Sequence, residues 1–296
     1  MNALKRIHHL SATVGDPNEN LRFYRDILGL KLVKQTVNFE DDNTYHLYFA
    51  NPNGEPTSIM TFFPRLDNLN GRTGAGQVRR IAFSVPKDSL SIWENRLSEN
   101  EVAFNNHTLF HKDALIFNDP HNIHLALVES EEEAHNVEIM GFYGVEILSE
   151  NPVETLKLLT QEMGLLLIEI TSDYYHLEMA GSEKHQVLIH RHLTKRGRLG
   201  IGTVHHIAWS VSNEEELSEW KIKLEKETNM TEILDRKYFY SAYLRDPGHV
   251  IYELATEGPG FTIDESAENL GSRLMLPKHY EKHRKEIEEK LLKLDI

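Results

Sequence analysis

Two pairs of adjacent histidines stand in nearly the same setting, Arg6-Ile7-His8-His9-Leu10 and Thr203-Val204-His205-His206-Ile207. A glutamate follows the second pair, in Val250-Ile251-Tyr252-Glu253. The chain has 17 histidines and no cysteine, so imidazole and carboxylate are its means of holding a metal. The missing thiols exclude disulfide scaffolds, iron–sulfur clusters, thiolate zinc sites and cysteine nucleophiles together. Arg236 and Tyr243 lie 17 and 10 residues before Glu253, where a strand would adjoin the glutamate's strand across the Asp246-Pro247 turn. An arginine beside a metal stabilises a bound phenolate, and a tyrosine passes a proton or holds a second oxygen.

These residues need elements to position them, and the chain supplies the same element set repeatedly. Ile81-Ala82-Phe83-Ser84-Val85 matches Ile207-Ala208-Trp209-Ser210-Val211. Each is followed by an amphipathic stretch bearing Trp93 or Trp220, then by Asp119-Pro120 or Asp246-Pro247 and another strand, Ile123–Val128 or Val250–Ala255. A fainter pair joins Asp16-Pro17 and the helix leading to Gly29 with Asn151-Pro152, the stretch Glu154–Met163 and Gly164. Apolar residues at helical spacing and a glycine just past the end define such helices. Units therefore start near residues 7, 78, 139 and 203, each a strand, a helix and about three strands. Pro277–Leu294 reads as a C-terminal amphipathic helix.

Length and composition agree with an ordinary soluble chain of 296 residues, 40% hydrophobic and 26% charged. Lys and Arg total 32 against 46 Asp and Glu, a net charge of −14, which argues against nucleic acid or an anionic membrane as partner. The longest greasy run, Gly164–Ile168, is strand-sized. The N-terminal stretch Met1–Ile7 has no signal-peptide apolar core, so a cytoplasmic location is the expectation.

Four such units, with Tyr24 and Gly29 placed as they are, resemble the vicinal oxygen chelate superfamily, which includes glyoxalase I, extradiol dioxygenases and fosfomycin- and bleomycin-resistance proteins. The resemblance covers about residues 5–256. It implies an α+β fold of four tandem βαβββ modules forming two domains with cup-like mixed β-sheets. By chain order these are residues 1–137 (modules one and two) and 138–260 (modules three and four), with 261–296 as a helical tail. The family's metal ligands fall on His9, seven residues before Asp16, on His206, seven before Asn213, and on Glu253, seven after Asp246. Gly144, Arg80 and Ala126 stand at the corresponding points of units three and two. Two histidines and one carboxylate take one face of an octahedron and suit non-haem Fe(II), while Mn(II) accepts the same set. With Ala126 unable to coordinate, no fourth ligand is evident, which favours an oxygenase over a glyoxalase-type isomerase.

Within the superfamily the doubled His-His motif is most similar to the hydroquinone-type ring-cleaving dioxygenases, the group containing dichlorohydroquinone dioxygenase. Their pocket residues map onto His8, Ser11, His205, Arg236 and Tyr243, with Ser11 where that group has threonine. The implied function is an Fe(II)-dependent dioxygenase that opens hydroquinone-like or catechol-like rings with O2, in quinone or aromatic detoxification. His205, Tyr243, Arg236 and His8 would handle protons and bind substrate. Its partners would be a small aromatic diol and O2, with monomer or homodimer left open. Two other readings stand beside this one: a Zn- or Ni-dependent isomerase or lyase with a fourth ligand, and a binding protein that sequesters a drug or quinone without turnover. His121, His124, His190, His192, His279 and His283 read as packed or solvated side chains. Gly71–Gly76 lacks the ending of a phosphate loop and reads as linker, and Asn269–Leu274 is a candidate cover for the pocket.

Overall fold

The structure, a computed structural model, describes residues 3–51, 54, 56–66, 69–134 and 136–296; Met1 and Asn2, at the head of the N-terminal stretch considered above, lie outside them. The four-unit reading holds. Unit one contains β1 (Ile7–Val14), β2 (Lys31–Asn38), β3 (Asp41–Ala50) and β4 (Ile59–Pro64). Unit two contains β5 (Gln77–Val85), β6 (Phe104–Leu109), β7 (Lys112–Asn118) and β8 (His124–Glu129). Unit three has β9 (Gly141–Leu148), β10 (Leu166–Ile170), β11 (Tyr174–Glu178) and β12 (Gln186–His190), and unit four β13 (Thr203–Val211), β14 (Leu234–Asp235), β15 (Phe239–Arg245) and β16 (Ile251–Pro259).

A helix follows the first strand of every unit: α1 (Pro17–Leu21), α2 (Leu90–Glu99), α3 (Pro152–Lys157) and α4 (Glu214–Leu224). Asp16 starts α1 by accepting the Asn18 and Glu19 amides, with Pro17 in the first turn where its missing N–H costs nothing. Both α1 and α3 widen into π turns, Arg22–Ile27 and Leu158–Glu162, and the chain then reverses through Gly29 (φ +74°) and Gly164 (φ +79°). A side chain at such a φ is strained, and glycine is not. One core, including Tyr24, Trp93, Trp209 and Trp220, joins the four helices to both sheets.

The sheets do not follow the halves 1–137 and 138–260. One eight-stranded sheet runs β14-β15-β16-β13-β1-β4-β3-β2, and the other β10-β11-β12-β9-β5-β8-β7-β6. Unit one thus joins unit four through β1 and β13, while unit two joins unit three through β5 and β9. The units adjacent in sequence are tied by side chains instead. Asp119 of the unit-two turn accepts the Tyr24 hydroxyl (3.2 Å), and Asp246 of the unit-four turn accepts the Thr155 hydroxyl (2.5 Å).

The tail is less helical than its pattern suggests. Within Pro277–Leu294, where a continuous helix is expected, α5 (Arg284–Lys290) and a 3-10 turn at Glu281–His283 form, and α5 ends where Leu291 turns extended (ψ 138°) and buries in a cluster with Val37, Leu276 and Ile287. No helix among the described residues is long and apolar enough to cross a membrane.

Candidate metal centre

The two central strands of the first sheet are antiparallel, and their pairing slips twice. Ile7 faces Trp209 while His9 faces Ala208, so His8 is an extra residue; Ser11 faces His206 while Ala12 faces Val204, so His205 is another. In a regular strand, neighbouring side chains point to opposite faces. A bulge breaks that alternation and re-aims a side chain. Here each bulge brings the two rings of a pair together, with Nδ1–Nδ1 distances of 2.8 Å for His8–His9 and for His205–His206.

Those contacts leave Nε2 of His9 and His206 free to point inward. The two Nε2 atoms lie 3.3 Å apart. Oε2 of Glu253, on β16, is 3.1 Å from His9 Nε2 and 2.8 Å from His206 Nε2, and all three side chains are buried. Neither carboxylate oxygen of Glu253 receives a properly directed hydrogen bond. Burial pushes the Glu253 carboxyl up, but the two imidazoles beside it outweigh burial and hold it well below the usual range. Burial likewise depresses His206.

A buried carboxylate and two imidazole nitrogens therefore converge with no proton donor aimed at the carboxylate, an arrangement that is costly unless a cation sits among them. Ligand atoms on neighbouring octahedral positions, each about 2.1 Å from an ion, lie about 3 Å apart, and the three distances match. The residues fit a divalent metal.

For Nε2 to ligate, the ring proton must sit on Nδ1 and be donated to the neighbouring histidine. His8 and His205 suit that acceptor role. Burial, then the adjacent ligand histidine, lowers each to about 3, so both are neutral at physiological pH. His8, expected to line the pocket, instead lies buried behind His9 against Phe239 (5.4 Å). His205 reaches the cavity wall.

The cavity over the triad has a volume of about 500 Å³. His9, Ser11, His205, His206, Arg236 and Tyr243 all line it, so the structure gathers the expected site residues there except His8 and Glu253, both of which are buried. Tyr243 faces Glu253 across the β15–β16 ladder, and its ring lies 5.4 Å from that of His206. Burial, then the Glu253 charge, pushes the Tyr243 hydroxyl well up, so it is a protonated donor. The Arg236 guanidinium stands 5.6 Å from the centre of the Tyr243 ring and reaches Glu40 at 3.5 Å.

The fourth position needs a correction. Ala126 belongs to the other sheet. As Ala208 of β13 faces Glu253, so Ser11 of β1 faces Thr61 of β4, which makes Thr61 the counterpart of Glu253. Its hydroxyl is engaged with Ser11 (2.7 Å) and His46 Nε2 (3.0 Å), and His46 Nδ1 is hydrogen-bonded to the Tyr48 hydroxyl (2.9 Å). The sequence reading missed His46, Tyr48, Thr61, Phe63 and Phe239. Overlaying unit one on unit four would have found Tyr48, because it faces Thr61 as Tyr243 faces Glu253.

Other expectations resolve simply. Asn269–Leu274 does not line the cavity. It runs along β2, where Gln35 donates to the Gly271 carbonyl (2.6 Å), and Leu270 packs behind Tyr48 and Phe239. Gly71–Gly76 is a linker braced against the linker before β13, through Arg72–Arg198 and Ala75–Lys195. In the second sheet Arg80 and His190 close on Glu146 (2.7 and 3.0 Å), and Ala82, Phe110, Ala126 and Leu188 form an apolar cluster there. His124 bonds Asn118 and His192 pairs with Asp173. A larger cleft of about 710 Å³, lined by Arg22, Arg80 and Asp119, brings no three metal-binding side chains together among the described residues.

A fold of tandem βαβββ units cupping a buried two-histidine, one-glutamate set places the chain in a known class. It belongs to the glyoxalase/bleomycin resistance protein/dioxygenase superfamily, whose model matches residues 6–126. It is 41% identical to "Putative ring-cleaving dioxygenase MhqO" of Bacillus subtilis (strain 168), over 98% of this chain and 96% of that one. It is 28% identical to the chlorohydroquinone/hydroquinone 1,2-dioxygenase of Sphingobium indicum (strain UT26S), over 90% of each. The crystal structure of a "putative dioxygenase" from Bacillus subtilis superposes with a TM-score of 0.96 at 40% identity, covering 100% of this chain and 99% of that one. Glyoxalase I from Zea mays shares the fold alone, with a TM-score of 0.65 at 14% identity over 86% and 92%.

Proposed function

We propose that the protein is a non-haem Fe(II) ring-cleaving dioxygenase acting on hydroquinone-like diols. His9, His206 and Glu253 would hold the ion, and the observation that carries this reading is their convergence in one buried spot with a neutral Thr61 at the fourth position. Three protein ligands leave room for a substrate oxygen and for O2, as an oxygenase requires. When bound, the metal supplies a Lewis acid for the ring hydroxyl and a route for electrons between ring and O2.

The protein's own groups do the rest. His8 and His205 accept the Nδ1 protons and so fix the orientation of His9 and His206. Arg236 offers a fixed positive charge to the phenolate, and the Tyr243 hydroxyl, beside the triad, donates to a substrate oxygen. Ser11, Thr61, His46 and Tyr48 form a continuous hydrogen-bonded chain along the opposite wall. Phe63 and Phe239 give the ring apolar flanks. The relatives named as ring-cleaving and hydroquinone dioxygenases support the same substrate class.

The test is isotopic. Chain reconstituted with Fe(II) and given a quinol under ¹⁸O2 should release a ring-opened product carrying two ¹⁸O atoms, and Glu253→Ala should release none. Unlabelled product, or equal turnover by Glu253→Ala, would refute the reading.

A further inference from the structure

Away from the triad, three more metal-binding side chains meet at the mouth of the second sheet. His111, Glu169 and His176 each bring one ligand atom to within 4.8 Å of the others. Glu169 on β10 and His176 on β11 are cross-strand partners, while His111 comes from the β6–β7 turn. Strands β6 and β10 are the opposite edges of the sheet. The cluster therefore spans the gap left where the curled sheet's two ends approach.

Hydrogen bonding fixes which nitrogen of His176 is available. Gln186 donates its amide to the Lys184 carbonyl (2.5 Å) and to Glu178 (3.1 Å), which turns its own carbonyl oxygen toward His176 Nε2 (2.7 Å). His176 must then carry its proton on Nε2, leaving a lone pair on Nδ1. That Nδ1 is buried and has no hydrogen-bond partner. A carbonyl bound to the far nitrogen of a histidine is what orients metal-ligating imidazoles elsewhere.

The other two ligands are accessible. His111 Nε2 and Glu169 Oε2 are 2.8 Å apart, the same spacing as His206 and Glu253 in the triad. Phe110 and His111 both hold left-handed backbone (φ +54° and +61°), unusual for bulky residues. The turn packs Phe110 against Tyr143 (5.4 Å) and leaves His111 facing Glu169.

We propose that His111, Glu169 and His176 form a second metal site, for Zn²⁺, that staples the two edges of this sheet together. Two imidazoles, one carboxylate and an open fourth position suit a tetrahedral Zn²⁺ with water completing the shell. Binding only to the folded chain, the ion stabilises it by mass action. The site shares no residue with the triad and stands or falls apart from the proposed reaction.

The test uses the full chain with the triad disabled by Glu253→Ala and dialysed against micromolar Zn²⁺. One zinc per chain is expected, with a rise in Tm on zinc addition. Adding His111→Asn, which tolerates the left-handed backbone, or Glu169→Gln should weaken zinc binding by more than about tenfold and abolish the rise in Tm. The metal-free Tm should stay unchanged, since both side chains are exposed or nearly so, and if one substitution perturbs folding the other decides. Glu253→Ala chain that binds no zinc, or that binds it equally after either substitution, overturns the proposal and leaves His111–Glu169 as an ion pair.

Discussion

At the centre of the first sheet, Glu253 and two imidazole nitrogens crowd together with no hydrogen bond directed at the carboxylate. What makes the two nitrogens available is the histidine behind each ligand. His8→Ala and His205→Ala should therefore weaken Fe(II) affinity by about 10- to 100-fold. The losses should be read from metal titrations, with kcat at saturating iron changing far less than affinity. Equal affinity in both variants would make the flanking histidines mere packing. The sequence pointed to the three side chains that converge, His9, His206 and Glu253, because each keeps a seven-residue spacing to its turn. It did not carry the role of His8, since simple strand alternation sends His8 and His9 apart and only the bulge unites them.

Strand register decides the chemistry one scale up. Thr61 occupies on β4 the place of Glu253 on β16, so one substitution would convert three ligands to four. Thr61→Glu should tighten divalent metal binding and cut ring cleavage by at least about tenfold, as the open positions fall in number; unchanged turnover would mean that Thr61 does not face the ion. The tail segment is a second dependent element. Lys34 on β2 is fully buried and paired with Asp264 (2.7 Å) and with Glu265. Removing one partner of a buried ion pair costs about 3–5 kcal/mol. Lys34→Ala should lower the denaturation midpoint accordingly and open residues 261–276 to proteolysis. Elements with strong punctuation, Asp16-Pro17 to Gly29 above all, were legible in the sequence. The C-terminal helix was overread because the burial of Leu291 and Leu294, which outcompetes helix continuation, is tertiary.

Across the whole molecule, chain order misleads about partnership, since unit one completes its sheet with unit four. The clue was available: ligands on units one and four can meet only if those units share a cup. The sheets are also tied by His185, whose Nδ1 accepts the Ile7 amide at the start of β1 (2.9 Å). Burial lowers His185 from 6.5 to about 4. Between pH 6.5 and 4 the unfolded chain takes up this proton and the folded chain does not, so stability falls as pH drops through that window, by up to about 3 kcal/mol. Asp119, raised by burial to about 7, acts oppositely, its contribution being lost as pH rises toward 7. Comparison with His185→Asn, whose carbonyl can still accept the amide, isolates the histidine. The wild type should lose more stability than the variant from pH 6.5 to 4, and parallel curves would contradict the assignment.

The proposed oxygenase rests on His9, His206 and Glu253 with a neutral Thr61 at the fourth position. Oxygen uptake in a sealed electrode, after anaerobic reconstitution with Fe(II) and addition of a panel of hydroquinones and catechols, tests it most directly. Rapid uptake is expected with at least one diol, lost in His206→Ala and Glu253→Ala and absent when Zn²⁺ replaces iron. No uptake across the panel with one iron bound per chain, or uptake that persists in either variant, would contradict it.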